Sequence, residues 1–504
     1  MKNSKKNILY TLGALSASCF AQNHPNVIMF MVDDMGWQDT SVPFWTECTP
    51  FNNLYHTPNM ERLAAQGMKF TQAYACSVSS PTRVSFLTGM NAARHRVTNW
   101  TLYKNTSTDA RNPELEFPEW NVNGITPYGN LERAIWATTL PELLRQSGYH
   151  TIHCGKAHFG AIGTPGCDPL NLGFNVNLAG HATGAPGSYL AEDEFGNNTL
   201  GPWGVPGLQE FYGSDMFLTE ALTQKALREL DKVPNKEPFF LYMSHYAVHA
   251  PYKADKRFIN KYREQGLNET EAQYAALVEG MDKSLGDIMD YLDMNYLADN
   301  TIIIFMSDNG GLSANGRGGE AHTHNRPLAS GKGSAYEGGI REPMIVKWPG
   351  VTTAASVCND YLIIEDFFPT ILEMTGVKQA KTIQPVDGIS FLPLLKQQQV
   401  PNGRKLYWHY PNNWGASGPG IGASSTIRKD DWKLVYFHQD GRFELFNIRE
   451  DIGEHNDLSL QNPQKVKELA KDLEEYLVSI DAQMPTYRST EKTVPYPYTR
   501  LLSR

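Results

Sequence analysis

The chain has 504 residues and a formal net charge of −9 at pH 7, enough for one large α/β domain with a smaller one attached, or for two or three separate domains. It is 41% hydrophobic and 20% charged, an ordinary globular composition that allows a sizeable core. The negative charge is spread along the chain, which argues against a nucleic-acid surface.

The first residues form a segment of their own. Lys2, Lys5 and Lys6 precede an apolar run from Ile8 to Phe20 that ends in small residues, the pattern of an export signal. The run is too short for a membrane span. Cleavage after Ala21 keeps residues 1–21 out of the fold and predicts a periplasmic or secreted protein. Cys19 offers lipid attachment as the alternative, although Ser16-Ala17-Ser18 makes a poor lipoprotein signal. Without Cys19, five scattered cysteines remain. They form no disulfide framework and show no zinc-ligand spacing, so they read as one or two bridges or as core thiols.

Residues 26–34 run Asn-Val-Ile-Met-Phe-Met-Val-Asp-Asp. Such a run predicts a strand buried on both faces, as in a parallel sheet, ending in Asp33 and Asp34. A helix follows, with Thr57 as cap, Pro58 in its first turn and Gly67 after its end. A strand over Met68–Tyr74 leads into Ser79-Ser80-Pro81-Thr82-Arg83. Pro81 suits a first helical turn, which places Ser79 at a helix end that favours anions. Residues 95–135 are polar and aromatic without period and read as a surface insertion. Thr139 and Glu142 form a capping box for a helix that stops at Gly148. The strand Tyr149–Cys154 then delivers Gly155-Lys156-Ala157-His158. Residues 160–213 are rich in Gly, Pro and Asn and read as long loops around a site.

A helix from about Asp215 to Asp231 precedes the strand Phe239–Met243, which empties towards His249-Ala250-Pro251. The 270–293 segment is amphipathic, with Tyr274, Leu277, Val278, Met281, Leu285, Ile288 and Leu292 on one face. Strand Thr301–Met306 ends in Ser307-Asp308-Asn309-Gly310. This alternation predicts an α/β fold built on a large, mainly parallel sheet flanked by helices. Near residue 400 the texture changes to short aromatic strands at Leu406–Tyr410, Ser425–Arg428, Trp432–Phe437 and Arg442–Asn447, then a helix from Pro463 to Ile480. We expect a catalytic domain over 22–400 and, over 401–504, a small antiparallel sheet with a helix.

Ligands in open α/β sheets gather beyond the carboxyl ends of strands. Four such ends carry Asp33 with Asp34, Lys156 with His158, His249, and Asp308 with Asn309. Three Asp and one Asn offer oxygen ligands, which suit Ca²⁺ first and Mg²⁺ second. Lys332 lies in a Gly-bearing loop and, with Lys156, can flank an anion and neutralise charge that builds in a transition state.

These segments, in this order, resemble the type I sulfatases of the alkaline phosphatase superfamily. The resemblance is carried by Val32-Asp33-Asp34-Met35-Gly36, Ser79 two residues before Pro81 and four before Arg83, Gly155-Lys156-Ala157-His158, His249-Ala250-Pro251, Ser307-Asp308-Asn309-Gly310, and Gly331-Lys332-Gly333 through Glu342-Pro343. It implies an alkaline-phosphatase-like fold and hydrolysis of sulfate esters. It implies that Asp33, Asp34, Asp308 and Asn309 ligate a metal, usually Ca²⁺. It further implies that a maturation enzyme converts Ser79 to formylglycine before export, that residue 79 is a further metal ligand, and that Arg83 holds it in place. Lys156, His249 and Lys332 would contact the sulfate and His158 the formylglycine hydroxyl. His249, with or without Lys332, would give a proton to the leaving oxygen, and His158 would take one from the second hydroxyl. Ala157 and Phe159 stand where the family often has Trp and Leu. An alternative within the superfamily is a phosphatase or phosphodiesterase using unmodified Ser79 and two zinc ions. A second alternative is an exported glycan-binding protein without turnover.

The leaving-group side is read from the loops. Polar and aromatic residues there suit a sugar, and exported sulfatases of this texture resemble carbohydrate sulfatases. The expected substrate is an O-sulfated glycan containing galactose or N-acetylhexosamine. Candidate contacts are Trp100, Trp120, His181, His322, His324, Trp414 and Arg428.

Overall fold

A computed structural model of the chain describes residues 24–234, 237–314, 317–378 and 380–503. The expected export signal lies outside the described residues. In chain order the main elements are β1 (Asn26–Val32), α1 (Pro58–Gln66), β2 (Met68–Tyr74), α2 (Ser79–Thr88), α3 (Ala92–His95), α4 (Leu140–Gln146), β3 (His150–Gly155) and β4 (Val176–Leu178). There follow α5 (Leu218–Leu230), β5 (Phe239–Ser244), α6 (Glu269–Met294), β6 (Thr301–Ser307), β7 (Arg341–Lys347), β8 (Ser356–Cys358), β9 (Leu362–Ile363) and α7 (Phe367–Met374). The last part holds β10 (Lys405–Tyr410), β11 (Ser424–Lys429), β12 (Trp432–Phe437), β13 (Phe443–Asn447) and α8 (Pro463–Ser479).

Nine strands form the large sheet in the order β8-β2-β7-β6-β1-β5-β3-β4, with β9 also on β2. All its pairings are parallel except those of β7, which runs antiparallel to β2 and β6. Successive side chains of a strand point to opposite faces, and β1 is apolar on both. Ile28, Phe30 and Val32 join one core with Leu277, Met281 and Ile288 of α6, while Val27, Met29 and Met31 join the other with Phe86, Phe367 and Ile371. Burying each such side chain contributes roughly 1.5–3 kcal/mol, so the continuous apolar run marks the centre of the sheet.

One expectation needs correction. Residues 95–135 are not a surface insertion: Val97, Trp120 and Val122 are buried against Val84 of α2. The segment lacks a period because only isolated bridges and two-residue strands organise it. Strand β7 had no sequence signal because Pro343 interrupts it, and the register shifts between Glu342 and Met344, where a sheet tolerates proline. The five described cysteines are all free thiols.

The small sheet, β10-β11-β12-β13, is antiparallel throughout. Helix α8 covers it with Val466, Leu469, Leu473 and Leu477 against Ile427, Leu434 and Tyr436. Leu406 and Trp408 of β10 enter the core of the large sheet, and Trp408 Nε1 donates to the Ala75 carbonyl at 2.8 Å. The two sheets are thus joined just before α2.

Candidate active site

Strands β1 and β6 pair in register from Asn26↔Thr301 to Val32↔Ser307. The next two residues of each strand are Asp33 with Asp34, and Asp308 with Asn309. The backbone ladder continues through these residues: Asp308 N donates to Val32 O at 3.0 Å, Asp33 N to Ala247 O at 2.9 Å, and Val248 N to Asp33 O at 2.7 Å. Asp34 turns the chain with φ 60°, a left-handed conformation that Asp tolerates better than most residues.

Ser79 is the first residue of α2, and all ten residues of the helix are buried. Its Oγ lies 2.9 Å from Lys156 Nζ, 3.1 Å from Asn309 Oδ1 and 3.5 Å from Asp33 Oδ1. It therefore accepts from an ammonium and donates to an amide oxygen. The positive end of α2 adds to this field. One turn on, Arg83 is fully buried. Its Nε and Nη2 donate to Asp308 Oδ2 at 2.9 and 2.8 Å, and its Nη1 to the Lys156 carbonyl at 3.0 Å. Arg83 thus holds Asp308 and the Lys156 backbone, two of the groups around Ser79.

Three carboxylates face three cations here. Lys156 Nζ is 2.7 Å from Asp33 Oδ2, and Lys332 Nζ is 2.7 Å from Asp34 Oδ1. Burial pushes the Asp33 carboxyl well up and the Lys156 ammonium down, against their mutual attraction. Burial also acts on Asp34 and Asp308, but Lys332 and His249 outweigh it at the first, and Arg83 and Lys156 at the second, so both fall below the usual carboxylate range. Burial lowers Lys332, but Asp34 and Asp33 outweigh it and hold its ammonium above the ordinary value.

The two histidines have assignable tautomers. His158 Nε2 lies 2.9 Å from the Thr101 carbonyl, so it carries the hydrogen, and the lone pair is on Nδ1. That Nδ1 is buried and has no partner among the described residues. Burial, then Lys156, holds this imidazole well below its ordinary pKa. His249 Nδ1 donates to the Ala250 carbonyl at 2.6 Å, which leaves Nε2 facing Asp34 Oδ2 at 3.6 Å. Burial pushes His249 down to about 4, opposed by Asp34.

The donor set fits a hard divalent cation. Asp33, Asp34 and His249 each present a ligand atom within 4.8 Å of the others. Asp308 Oδ1 reaches Asp34 N at 3.3 Å, and the Asn309 amide bridges Ser79 and Asp34. Sequence reasoning assigned no role to Glu342. It is fully buried, its two carboxylate oxygens find no partner among the described residues, and burial with Asp308 and Asp34 drives its pKa well up.

These groups form the floor of a cleft of about 250 Å³, lined by Ser79, Asp34, Lys156, His158, His249 and Lys332. Its walls are Trp100, Trp203, Trp414, Leu312, Val78 and the Gly184-Ala185 turn. Trp100 and Trp414 were expected; Trp203 and Leu312 carried no signal beyond lying in loop-rich sequence. The remaining candidates lie elsewhere. Arg428 is buried in the small sheet, its guanidinium donating to Tyr74 Oη and Gln72 Oε1. Trp120 donates to Asp109 at 2.8 Å. His324 accepts from Arg317 N at 3.0 Å, and His322 packs against Gly418. His181 is absent from the lining and supports it instead, its carbonyl accepting from His158 N at 3.1 Å. Ala157 and Phe159 are both buried, and Phe159 stacks on Tyr242.

Residues 25–377 match the family model described as Sulfatase, and residues 331–483 the one described as N-sulphoglucosamine sulphohydrolase, C-terminal. A protein named Sulfatase from Formosa agariphila is 29% identical over 538 residues, covering 95% of this chain and 93% of its own. The N-acetylgalactosamine-6-sulfatase of Mus musculus is 31% identical over 509 residues, covering 92% and 89%. The crystal structure of Ps i-CgsB in complex with k-i-k-neocarrahexaose aligns with a TM-score of 0.71 at 25% identity, over 90% of this chain and 93% of that one.

Proposed function

The chain belongs to the sulfatase family and is a sulfuric ester hydrolase, and we propose that it removes O-sulfate from a carbohydrate with residue 79, converted from serine to formylglycine, as nucleophile. The observation that carries this reading is the position of Ser79 Oγ at the cleft floor, 2.9 Å from Lys156 Nζ and 3.1 Å from Asn309 Oδ1. The carbohydrate part draws on the relatives, one named for N-acetylgalactosamine 6-sulfate and one bound to a neocarrahexaose. Galactose and N-acetylhexosamine sulfates are the substrates we expect.

Asp33, Asp34, Asp308, Asn309 and residue 79 would hold a Ca²⁺ ion, which supplies Lewis-acid polarisation of a sulfate oxygen. Formylglycine, hydrated to a gem-diol, supplies one oxygen to attack sulfur and a second that allows sulfate to be expelled. The chain's own residues do the rest. Lys156 and Lys332 flank the sulfate and neutralise its charge; replacing either by Met should cost ~10²–10³ in rate. The Nδ1 lone pair of His158 is the acceptor for a proton from residue 79. His249 Nε2 would be the donor to the leaving oxygen once an anionic substrate beside it raises its proton affinity. Export and conversion of Ser79 by a maturation enzyme belong to the same proposal.

The test uses protein in which mass analysis of the 70–94 peptide shows residue 79 converted. It should release sulfate from sulfated sugars, lose turnover on Ca²⁺ chelation and regain it on readdition. Ser79→Ala should abolish turnover with an unchanged circular dichroism spectrum. Unchanged turnover in that variant would falsify the nucleophile, and release from small aryl sulfates alone would sink the carbohydrate assignment.

A further inference from the structure

We infer that the sugar ring bearing the scissile sulfate is otherwise uncharged, and that the cleft selects a singly sulfated neutral pyranose through its apolar face. This rests on the sulfatase reading of the cleft floor.

The walls carry the inference. Above the floor the cleft is closed by Trp100, Trp203, Trp414 and Leu312, with Val78 and Ala185 between them. None of these side chains bears a charge; the three indoles can each donate one N–H, and no cation stands among them. The two ammonium groups that reach the cleft, Lys156 and Lys332, already sit 2.7 Å from Asp33 and Asp34 and face the sulfate that is to be cleaved. A carboxylate or second sulfate on the same ring would lie against indole and aliphatic surface. Placing an anion against this surface, with no cation to pair it, is disfavoured by lost hydration. A neutral pyranose meets no such cost: its C–H face packs on an indole, and its hydroxyls turn to water at the mouth.

The walls are also held in place. Asp109 accepts from Asn99 Nδ2 at 3.0 Å, Trp120 Nε1 at 2.8 Å and Asn413 N at 3.0 Å. One carboxylate thus ties the residue before Trp100 to the residue before Trp414. Trp414 lies flush on Gly333, where a Cβ would stand 2.3 Å from its ring, and Lys332 Nζ is 5.9 Å from the ring centre. Trp203 is anchored by its carbonyl, which accepts from Gly187 N at 2.7 Å. An indole fixed in this way offers a preformed surface and little freedom to admit a charged substituent.

Two measurements separate this inference from the reading beneath it. Calorimetry on the unconverted Ser79 protein compares a monosulfated neutral hexose with the same ring carrying a second sulfate or a carboxylate. Converted protein is then assayed for sulfate release from both and from an aryl sulfate. The neutral ring should bind at least about tenfold more tightly and show a kcat/KM higher by the same factor. Trp203→Ala should raise KM for the neutral ring about tenfold with kcat within about threefold. Ala185→Lys should raise kcat/KM for the disulfated ring about tenfold. Equal binding of neutral and charged rings overturns the inference whatever the turnover. A binding preference without sulfate release from any substrate supports the inference and overturns the reading beneath it.

Discussion

His95 lies under helix α2 with both ring nitrogens engaged. Val97 N donates to Nδ1 at 3.0 Å, which places the lone pair there, and Nε2 then donates to Ser85 Oγ at 3.0 Å. A second proton would have to displace the Val97 donor in a fully buried site, and burial accordingly pushes this imidazole down to about 3. The unfolded chain takes up the proton near the ordinary value of 6.5. His95 therefore contributes full stability above about pH 6.5, and that contribution is lost as the pH falls from there towards 3, at ~1.4 kcal/mol per pH unit. His95→Gln keeps an acceptor for Val97 and a donor for Ser85 but cannot titrate. Denaturant unfolding at pH 7, 6 and 5 should show a shallower acid loss in the variant by about that slope; identical slopes would exclude the assignment. The same residue scale marks what the sequence conceals. A histidine after a strand announces itself, but which nitrogen of His158 bears the lone pair depends on the Thr101 carbonyl, 57 residues away.

At the scale of elements, the loop that carries Lys332 is held from behind by a strand of the small sheet. Lys433 of β12 lies 3.0 Å from Glu337 Oε1 and 2.8 Å from Glu454 Oε1, all three fully buried. Glu337 N donates to Glu454 Oε2 at 2.7 Å, and Arg341 pairs with Glu337 at 3.2 Å. Lys433→Met strands carboxylates in a low-dielectric interior and should cost roughly 3–5 kcal/mol of stability. Adding Glu454→Gln should recover part of the loss. A single variant within about 1 kcal/mol of the parent would show that the network relaxes around the change. The elements themselves were unequally legible. Strands β1 and β6 and helix α6 declare themselves because their burial is uniform enough to write a pattern: an apolar run on both faces of the sheet, or one stripe of a helix. Strand β7 and residues 95–135 do not, since a proline bulge breaks the first and the second is stabilised by side-chain bonds such as those of Asp109, which leave no period.

Across the whole molecule, the floor of the cleft draws on residues from Asp33 to Lys332, and its legibility differs from that of the walls for a physical reason. Asp33, Asp34, Asp308 and Asn309 sit one or two residues beyond register-locked strand ends, so their positions follow from the strands. Trp203 and Leu312 stand on loops whose path is set by contacts far away in sequence, and no local pattern encodes that path. The burial of α2 also has a consequence in time. Every residue from Ser79 to Thr88 is enclosed, between a sheet whose central strands β1 and β6 are more than 250 residues apart in sequence and the strand β10 that closes over Ala75. Another protein cannot grip the flanks of Ser79 once these have met. On the proposed reading, conversion of that serine by an enzyme would then belong to the interval between synthesis and folding. The unfolded chain or the 70–94 peptide should be modified while the folded Ser79 protein is refractory; conversion of folded protein at the peptide's rate would refute this order. Under the proposed mechanism, activity would be decided by a race: a chain that folds before its serine is reached would remain well folded and permanently uncommissioned.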